Sequence, residues 1–353
     1  MKLAYANLNS NRNKELSLEY KLWVSIFKTM NTAVSIVDRS QTVSCPINYT
    51  VFDQSKLPLS LYTNHSYRDI VSNRCEELMS LGKPLRVLWS GGIDSTLIVS
   101  TLLKNYDKTK LREQVKIILT YDSLVENKNF YINHIAPNFD IVGGETVPYQ
   151  LFDGQGSIVT GEHNDQVFGS DLLRDFIIQM GPEAVNRNFS KDIIRAYYTK
   201  KGLTEEEFNY WFNNVTHTAK TLGVPLIVCS DYFWWFNFCF KWQSVLLRIH
   251  CITPKLLADK LKENCGNCIH FYCTDAFQQW SVSNPQHRHF DVWSNYKRHA
   301  KELIYELDKD KDYLLNKLKK PSLHNIYTGR FVYEGIDENY NLIKTIQIED
   351  YLK

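Results

Sequence analysis

A chain of 353 residues, 44% hydrophobic and 23% charged, has room for one large α/β domain plus an appendage. The formal net charge of +2 gives no electrostatic basis for nucleic-acid binding, and Met1 to Leu16 holds no apolar signal core, so a cytoplasmic protein without membrane association is expected. Eight cysteines are too sparse for a disulfide scaffold in a chain of this length.

Residues 1–82 read as a small α+β region of short strands with a helix from Ser66 to Leu81. A strand follows at Leu85–Trp89, then the turn Ser90-Gly91-Gly92-Ile93-Asp94-Ser95-Thr96, then an apolar-periodic helix through Leu103. Two adjacent glycines let the backbone approach a ligand closely, and N–H groups at a helix start bind anions. Ser90, Ser95 and Thr96 add hydroxyl donors. Asp94 beside a phosphate is repulsive unless a divalent cation lies between them, so the turn reads as a polyphosphate cradle with its own magnesium ligand. It is not a Walker A loop, because the longer glycine spacing and the Gly-Lys-Ser/Thr ending are absent.

Further strands are expected at Val115–Tyr121, Thr146–Tyr149 and Ser157–Thr160, interleaved with helices. Tyr121 and Asp122 then lie where a doubly wound, mainly parallel sheet meets an adenine or ribose. The strand Ser157–Thr160 runs into Gly161-Glu162-His163-Asn164-Asp165-Gln166-Val167-Phe168-Gly169, which repeats the layout of strand, glycine turn and acidic helix start. Ligands of such a sheet sit beyond the carboxyl ends of the strands, so Asp94, Glu162 and Asp165 are expected on one crevice.

Residues 170–325 read as mainly helical, including Thr204 to Leu222 with its acidic first turn Glu205-Glu206-Glu207. Asp231 to Gln243 is unusually aromatic, and Trp234 and Trp235 are assigned to the core. Cys265, Cys268 and Cys273 have spacing compatible with a structural zinc site, but nothing completes a recognised finger, and reduced thiols are the default. A helix from Tyr296 to Leu307 precedes a basic stretch, and the tail 326–353 reads as a hairpin, Phe331–Tyr333 with Leu342–Ile348.

The turn at Ser90–Ser95 resembles the Ser-Gly-Gly-x-Asp-Ser loop of the N-type ATP pyrophosphatases, the PP-loop superfamily. Gly161–Gly169 is similar to the Ser-Gly-Glu-Gly-x-Asp-Glu-x-Phe-Gly-Gly motif of the synthetase domain shared by asparagine synthetase and β-lactam synthetase. That resemblance implies ATP and magnesium as cofactors, Glu162 near the reacting intermediate, and Asp165 beside Asp94 as a ligand of magnesium pyrophosphate. His163 stands where the family has its second glycine, Gln166 where it has its second acid, and Ser170 where it has its final glycine. Lys317-Leu318-Lys319 is similar to the family's Arg-x-Lys element, which makes Lys319, or its neighbour Lys320, the candidate for the pyrophosphate-contacting lysine. The aromatic stretch lies where the family carries a basic residue near its active site, which implies Lys241 at the pocket edge.

The likeness spans residues 83–325 and implies an adenine nucleotide alpha hydrolase-like domain. The glutaminase domain of glutamine-dependent asparagine synthetases has no counterpart, since position 2 is Lys2 rather than the catalytic cysteine. The nucleophile is then expected from free ammonia, an amine on a substrate, or a separate ammonia-supplying subunit. The expected reaction is adenylation of a small-molecule or peptide carboxylate with loss of pyrophosphate, followed by transfer of the acyl group to nitrogen. Two other readings stay open: a PP-loop enzyme that modifies a nucleobase or tRNA, and a non-catalytic ATP-binding protein, the latter because of His163 and Gln166.

Overall fold

The computed structural model describes residues 1–8, 16–30, 35–143, 155–169, 171–252, 267–289, 292–318 and 333–353. Strand β1 (Leu3–Ala6) belongs to a small antiparallel sheet. The larger sheet contains β2 (Leu85–Leu88), β3 (Val115–Leu119), β4 (Asp140–Gly143), β5 (Ser157–Thr160) and β6 (Cys268–His270) in the order β4-β3-β2-β5-β6, every pair parallel. β2 and β5 are buried along their whole length, as expected of central parallel strands covered on both faces. The chain starts at β2, steps outward through β3 and β4, then returns to the other side of β2 for β5 and β6. The loops leaving β2 and β5 therefore diverge at the carboxyl edge and leave a crevice between them.

Helix α1 (Tyr67–Ser80) starts where the Ser66 side chain accepts from Asp69 N. Helix α2 (Ile93–Asn105) follows the glycine turn, and α3 (Tyr121–Glu126) follows β3. The strand expected to reach Tyr121 stops at Leu119, because Thr120 N donates to Ser123 Oγ at 3.2 Å and turns the chain into α3. Thr146–Tyr149 lies outside the described residues, and the neighbouring strand Asp140–Gly143 was not anticipated. Neither was β6, which occupies part of the expected thiol-bearing loop.

Helix α4 (Asn164–Phe168) leaves β5, and the helical half includes α5 (Glu205–Thr221), whose Thr204 and Glu207 form a reciprocal capping box. The aromatic stretch forms α6 (Cys229–Phe236), a π-helical turn at Asn237–Lys241, and α7 (Trp242–Arg248), with every residue from Cys229 to Leu247 buried. Trp234 and Trp235 are fully enclosed. Helix α8 (Arg298–Asp308) packs on α2, and its Glu306 reaches Arg68 of α1 and Lys104 of α2. No helix among the described residues is long and apolar enough to cross a membrane.

In the tail, β7 (Gly335–Asp337) and β8 (Leu342–Ile343) form the expected hairpin with its first strand displaced; Phe331 lies outside the described residues. β7 also pairs antiparallel with β1, so the tail completes a sheet begun by the N-terminal segment. One hydrophobic cluster includes Leu3, Trp23, Leu97, Trp234 and Ile348, so segments 1–82, 83–325 and 326–353 share a core.

Candidate active site

The turn after β2 is shaped by Gly91. Its φ of +77° is left-handed, and a Cβ there would meet Ser123 O at 2.6 Å and Glu126 Cβ at 2.9 Å. Only glycine lets the turn lie this close to α3. Gly92 caps α2, and the first helical hydrogen bond runs from Thr96 N to Gly92 O at 3.0 Å. The N–H groups of Ile93, Asp94 and Ser95 precede that bond and form the positive end of a 13-residue helix. The Ser90 and Ser95 hydroxyls lie 3.1 Å apart, and Ser90 Oγ accepts from Gly92 N at 3.3 Å. Thr96 is different: it is fully buried, and its hydroxyl accepts from Trp89 Nε1 at 3.0 Å. It braces the turn from behind rather than lining the crevice.

The loop after β5 approaches this turn directly. A Cβ on Gly161 would lie 3.1 Å from both Asp94 Cβ and Ser95 N, so this glycine permits the close approach. Ser90, Gly92, Asp94, Ser95, Gly161, Glu162 and Asp165 all line one crevice, partly open to solvent. Tyr121 and Asp122 are exposed on the first turn of α3 and do not line it, whereas Glu126 from the last turn of α3 does.

Each acid of the crevice meets a cation. Lys297 Nζ stands 2.6 Å from both carboxylate oxygens of Asp94 and 2.7 Å from Asp165 Oδ1. Arg248 reaches Glu162 Oε2 at 2.5 Å, and Lys317 reaches Glu126 Oε1 at 2.8 Å. Four carboxylates against three cations leave one formal negative charge, so the crevice alone does not attract a polyphosphate. Burial, opposed by Lys297 and reinforced by Asp165, raises the pKa of Asp94 above the ordinary carboxylate value.

The carboxylates are positioned by neighbours that carry no motif. Asn164 is fully buried; its Nδ2 donates to Asp94 Oδ1 at 2.7 Å, and its Oδ1 accepts from Tyr67 OH at 3.0 Å. Tyr272 OH donates to Asp94 O at 2.8 Å, and Tyr296 OH to Asp165 Oδ1 at 3.2 Å. Gln166, in the place of the family's second acid, is buried and donates to Asn237 Oδ1 at 3.5 Å, away from the crevice.

His163 takes the left-handed backbone that the family's glycine would adopt freely, at φ +76°. Its ring packs 4.6 Å from Trp242 and 5.2 Å from His270, and Nε2 donates to Trp242 O at 3.2 Å. Burial, followed by the nearby His270, pushes its pKa well below the ordinary value, so the ring is neutral. His270 donates from Nε2 to Leu246 O at 3.0 Å, which leaves Nδ1 to accept from Thr160 Oγ1 at 2.6 Å.

No protein-family model matches the chain, and no curated protein matches it in sequence.

The two basic candidates fare differently. Lys241 sits in the buried π-helical turn and does not line the crevice; the basic residue contributed by this stretch is Arg248, at the end of α7. The extra turn and the following helix carry the cation past the aromatic core to the crevice edge. Lys319 and Lys320 lie outside the described residues, while Lys317, the element's first basic residue, lines the crevice. Lys297 and Arg248 were not anticipated at all, since nothing in their local sequence signals a site.

The donor set can be weighed against the two metals raised by the sequence. Among the described residues no group of three or more histidine, cysteine, aspartate or glutamate side chains can hold a metal. Cys265 lies outside those residues, Cys268 is on β6, and Cys273 Sγ donates to Gln54 O at 3.6 Å. Asp94 and Asp165 converge on one point, and two carboxylates completed by substrate phosphates suit magnesium.

Proposed function

We propose that this chain is an ATP-dependent carbon–nitrogen ligase of the asparagine synthetase-like PP-loop kind, which adenylates a substrate carboxylate and passes the acyl group to ammonia or another amine. The observation that carries this reading is the convergence of Asp94 and Asp165 on a single cationic position beside the N-terminus of α2. The two acids come from loops after adjacent central strands, and that strand order supports a doubly wound sheet with its ligand at the reversal of chain direction.

In this reading the Ser90 and Ser95 hydroxyls and the leading N–H groups of α2 bind the phosphates of ATP. Magnesium held by Asp94 and Asp165 supplies charge neutralisation that makes pyrophosphate a better leaving group. An oxygen of the substrate carboxylate attacks the α-phosphorus. The bond from that phosphorus to the α–β bridging oxygen breaks, and pyrophosphate leaves with the electron pair. The amine nitrogen then attacks the acyl carbon, Glu162 takes its proton, and AMP departs from the acyl group. Arg248 holds Glu162 at the crevice wall, and Lys317 offers positive charge to the departing pyrophosphate, the role implied for Lys319.

The test is ³¹P NMR of ATP with magnesium, pooled amino acids and ammonia, beside an Asp165→Asn control. AMP and pyrophosphate should form, slower by at least about 100-fold in the control, as for loss of one electrostatic stabiliser of a transition state. ADP and phosphate as products would refute α–β cleavage. Binding of ATP with no turnover across carboxylate and amine pools would favour a non-catalytic ATP-binding protein.

A further inference from the structure

Lys297 is held in a place that local chemistry opposes. Its backbone is left-handed at φ +55°, and it caps the N-terminus of α8, where the helix dipole disfavours a positive charge. Its side chain is nevertheless wholly enclosed, with the ammonium between Asp94 and Asp165 at 2.6 and 2.7 Å. The carboxylate pair supplies the attraction that outweighs both penalties. In turn, those carboxylates depend on Lys297 to offset their mutual repulsion.

We infer that Lys297 and a divalent cation are alternative occupants of the space between Asp94 and Asp165, so that metal enters together with a polyphosphate rather than ahead of it. The inference rests on the reading above only in taking this pair as the cation site. One position cannot hold both ions, because the oxygens that would coordinate a metal are the oxygens that hold the ammonium, and the two cations would repel at contact distance. A bound polyphosphate changes the balance. It gives the ammonium new oxygens to pair with and the metal the further oxygen ligands that two carboxylates cannot supply. Lys297 thereby keeps the nucleotide-free crevice closed to metal, and its release adds a cation beside the phosphates at the moment they arrive. Asn164 and Tyr296 hold the two carboxylates in position through the exchange, by hydrogen bonds of 2.7 and 3.2 Å.

The experiment is Mn²⁺ titration of the full chain without nucleotide, read by loss of the free-ion electron paramagnetic resonance signal. It compares the wild type with Lys297→Met, Lys297→Gln, Lys297→Arg and the double variant Lys297→Met with Asp165→Asn. The neutral variants should bind one Mn²⁺ at least about tenfold more tightly than the wild type, because a buried carboxylate pair stripped of its counter-ion favours a replacement cation. Lys297→Arg should stay weak, and the double variant should lose the gain. Equal or weaker Mn²⁺ binding in both neutral variants would overturn the inference, as would tight Mn²⁺ binding by the wild type that Asp165→Asn removes. Should the neutral variants fold only with Mn²⁺ present, that rescue supports the exchange; failure to fold even at saturating Mn²⁺ refutes it. No nucleotide is used, so this result and the result on α–β cleavage stand or fall separately.

Discussion

At Gly91 a methyl group would press on Ser123 O and Glu126 Cβ while the backbone stays at φ +77°. Left-handed strain and the contact together should make Gly91→Ala lose about 2–3 kcal/mol in urea unfolding, and ATP binding should weaken as the turn shifts. His163 poses the opposite problem. His163→Gly relieves left-handed strain of about 1–2 kcal/mol, but it empties a buried ring site against Trp242, a loss of roughly 3–5 kcal/mol by comparison with other large-to-small core changes. The cavity should win, leaving the variant less stable by about 2 kcal/mol in the same assay, even though glycine is the residue of the motif this turn resembles. Asn164→Ala removes one of the two partners of Tyr67 OH, leaving Tyr272, and takes a donor from Asp94, and should cost about 1–3 kcal/mol in the same assay.

Legibility varies from element to element for physical reasons. α1, β2, β5 and α5 were visible in the sequence, because apolar periodicity, a capping serine or threonine, and glycine punctuation all agree locally. β6 was not. It has three residues and one aliphatic side chain, too short for a periodic signal, and it exists because Ser157–Thr160 offers an edge. His270 is fixed to that edge by the Thr160 hydroxyl, and Phe271 N donates to Thr160 O at 2.9 Å. The acids of the crevice were legible because they sit inside glycine turns of recognisable layout. Their cations were not: Lys297 meets Asp94 from 203 positions away, and Lys241 ends the buried π-helical turn, with α7 between it and the Arg248 that reaches the site. An element-scale consequence is that Arg248→Met should leave the fold intact while freeing Glu162. Its effect should appear in the acyl-transfer step, as adenylate that forms but turns over slowly, measured by pyrophosphate release against amide formation.

For the molecule as a whole, His163 in the crevice wall and the adjacent His250 and His270 form a buried neutral group. Burial first, and for His163 and His250 the neighbouring His270 second, lower their pKa values; those of His250 and His270 fall to about 4 from an ordinary 6.5. The unfolded chain takes up protons near pH 6.5 and the folded protein only near pH 4, so stability is fully present above about pH 7 and declines as pH falls through that interval. His250 and His270 each contribute up to roughly 3 kcal/mol of this decline, and His163 acts in the same direction. Melting temperature should therefore drop from pH 6.5 to pH 5, and His270→Gln should flatten the slope; an unchanged slope would show that the site stays wet.

The pairing of β1 with β7 has a consequence for how the chain is made. Leu3–Ala6 leaves the ribosome some 330 positions ahead of Gly335–Asp337, against which it pairs, with Glu338 N bonding back to Lys2 O at 3.0 Å. The parallel sheet can assemble during translation, but the small sheet cannot close until the tail arrives. Over that interval the nascent chain carries at Leu3–Ala6 an edge not yet paired with β7, the kind of surface that chaperones guard and that pairs wrongly with other chains. Expression yield should then depend on the integrity of Gly335–Ile343 more than its distance from the crevice suggests.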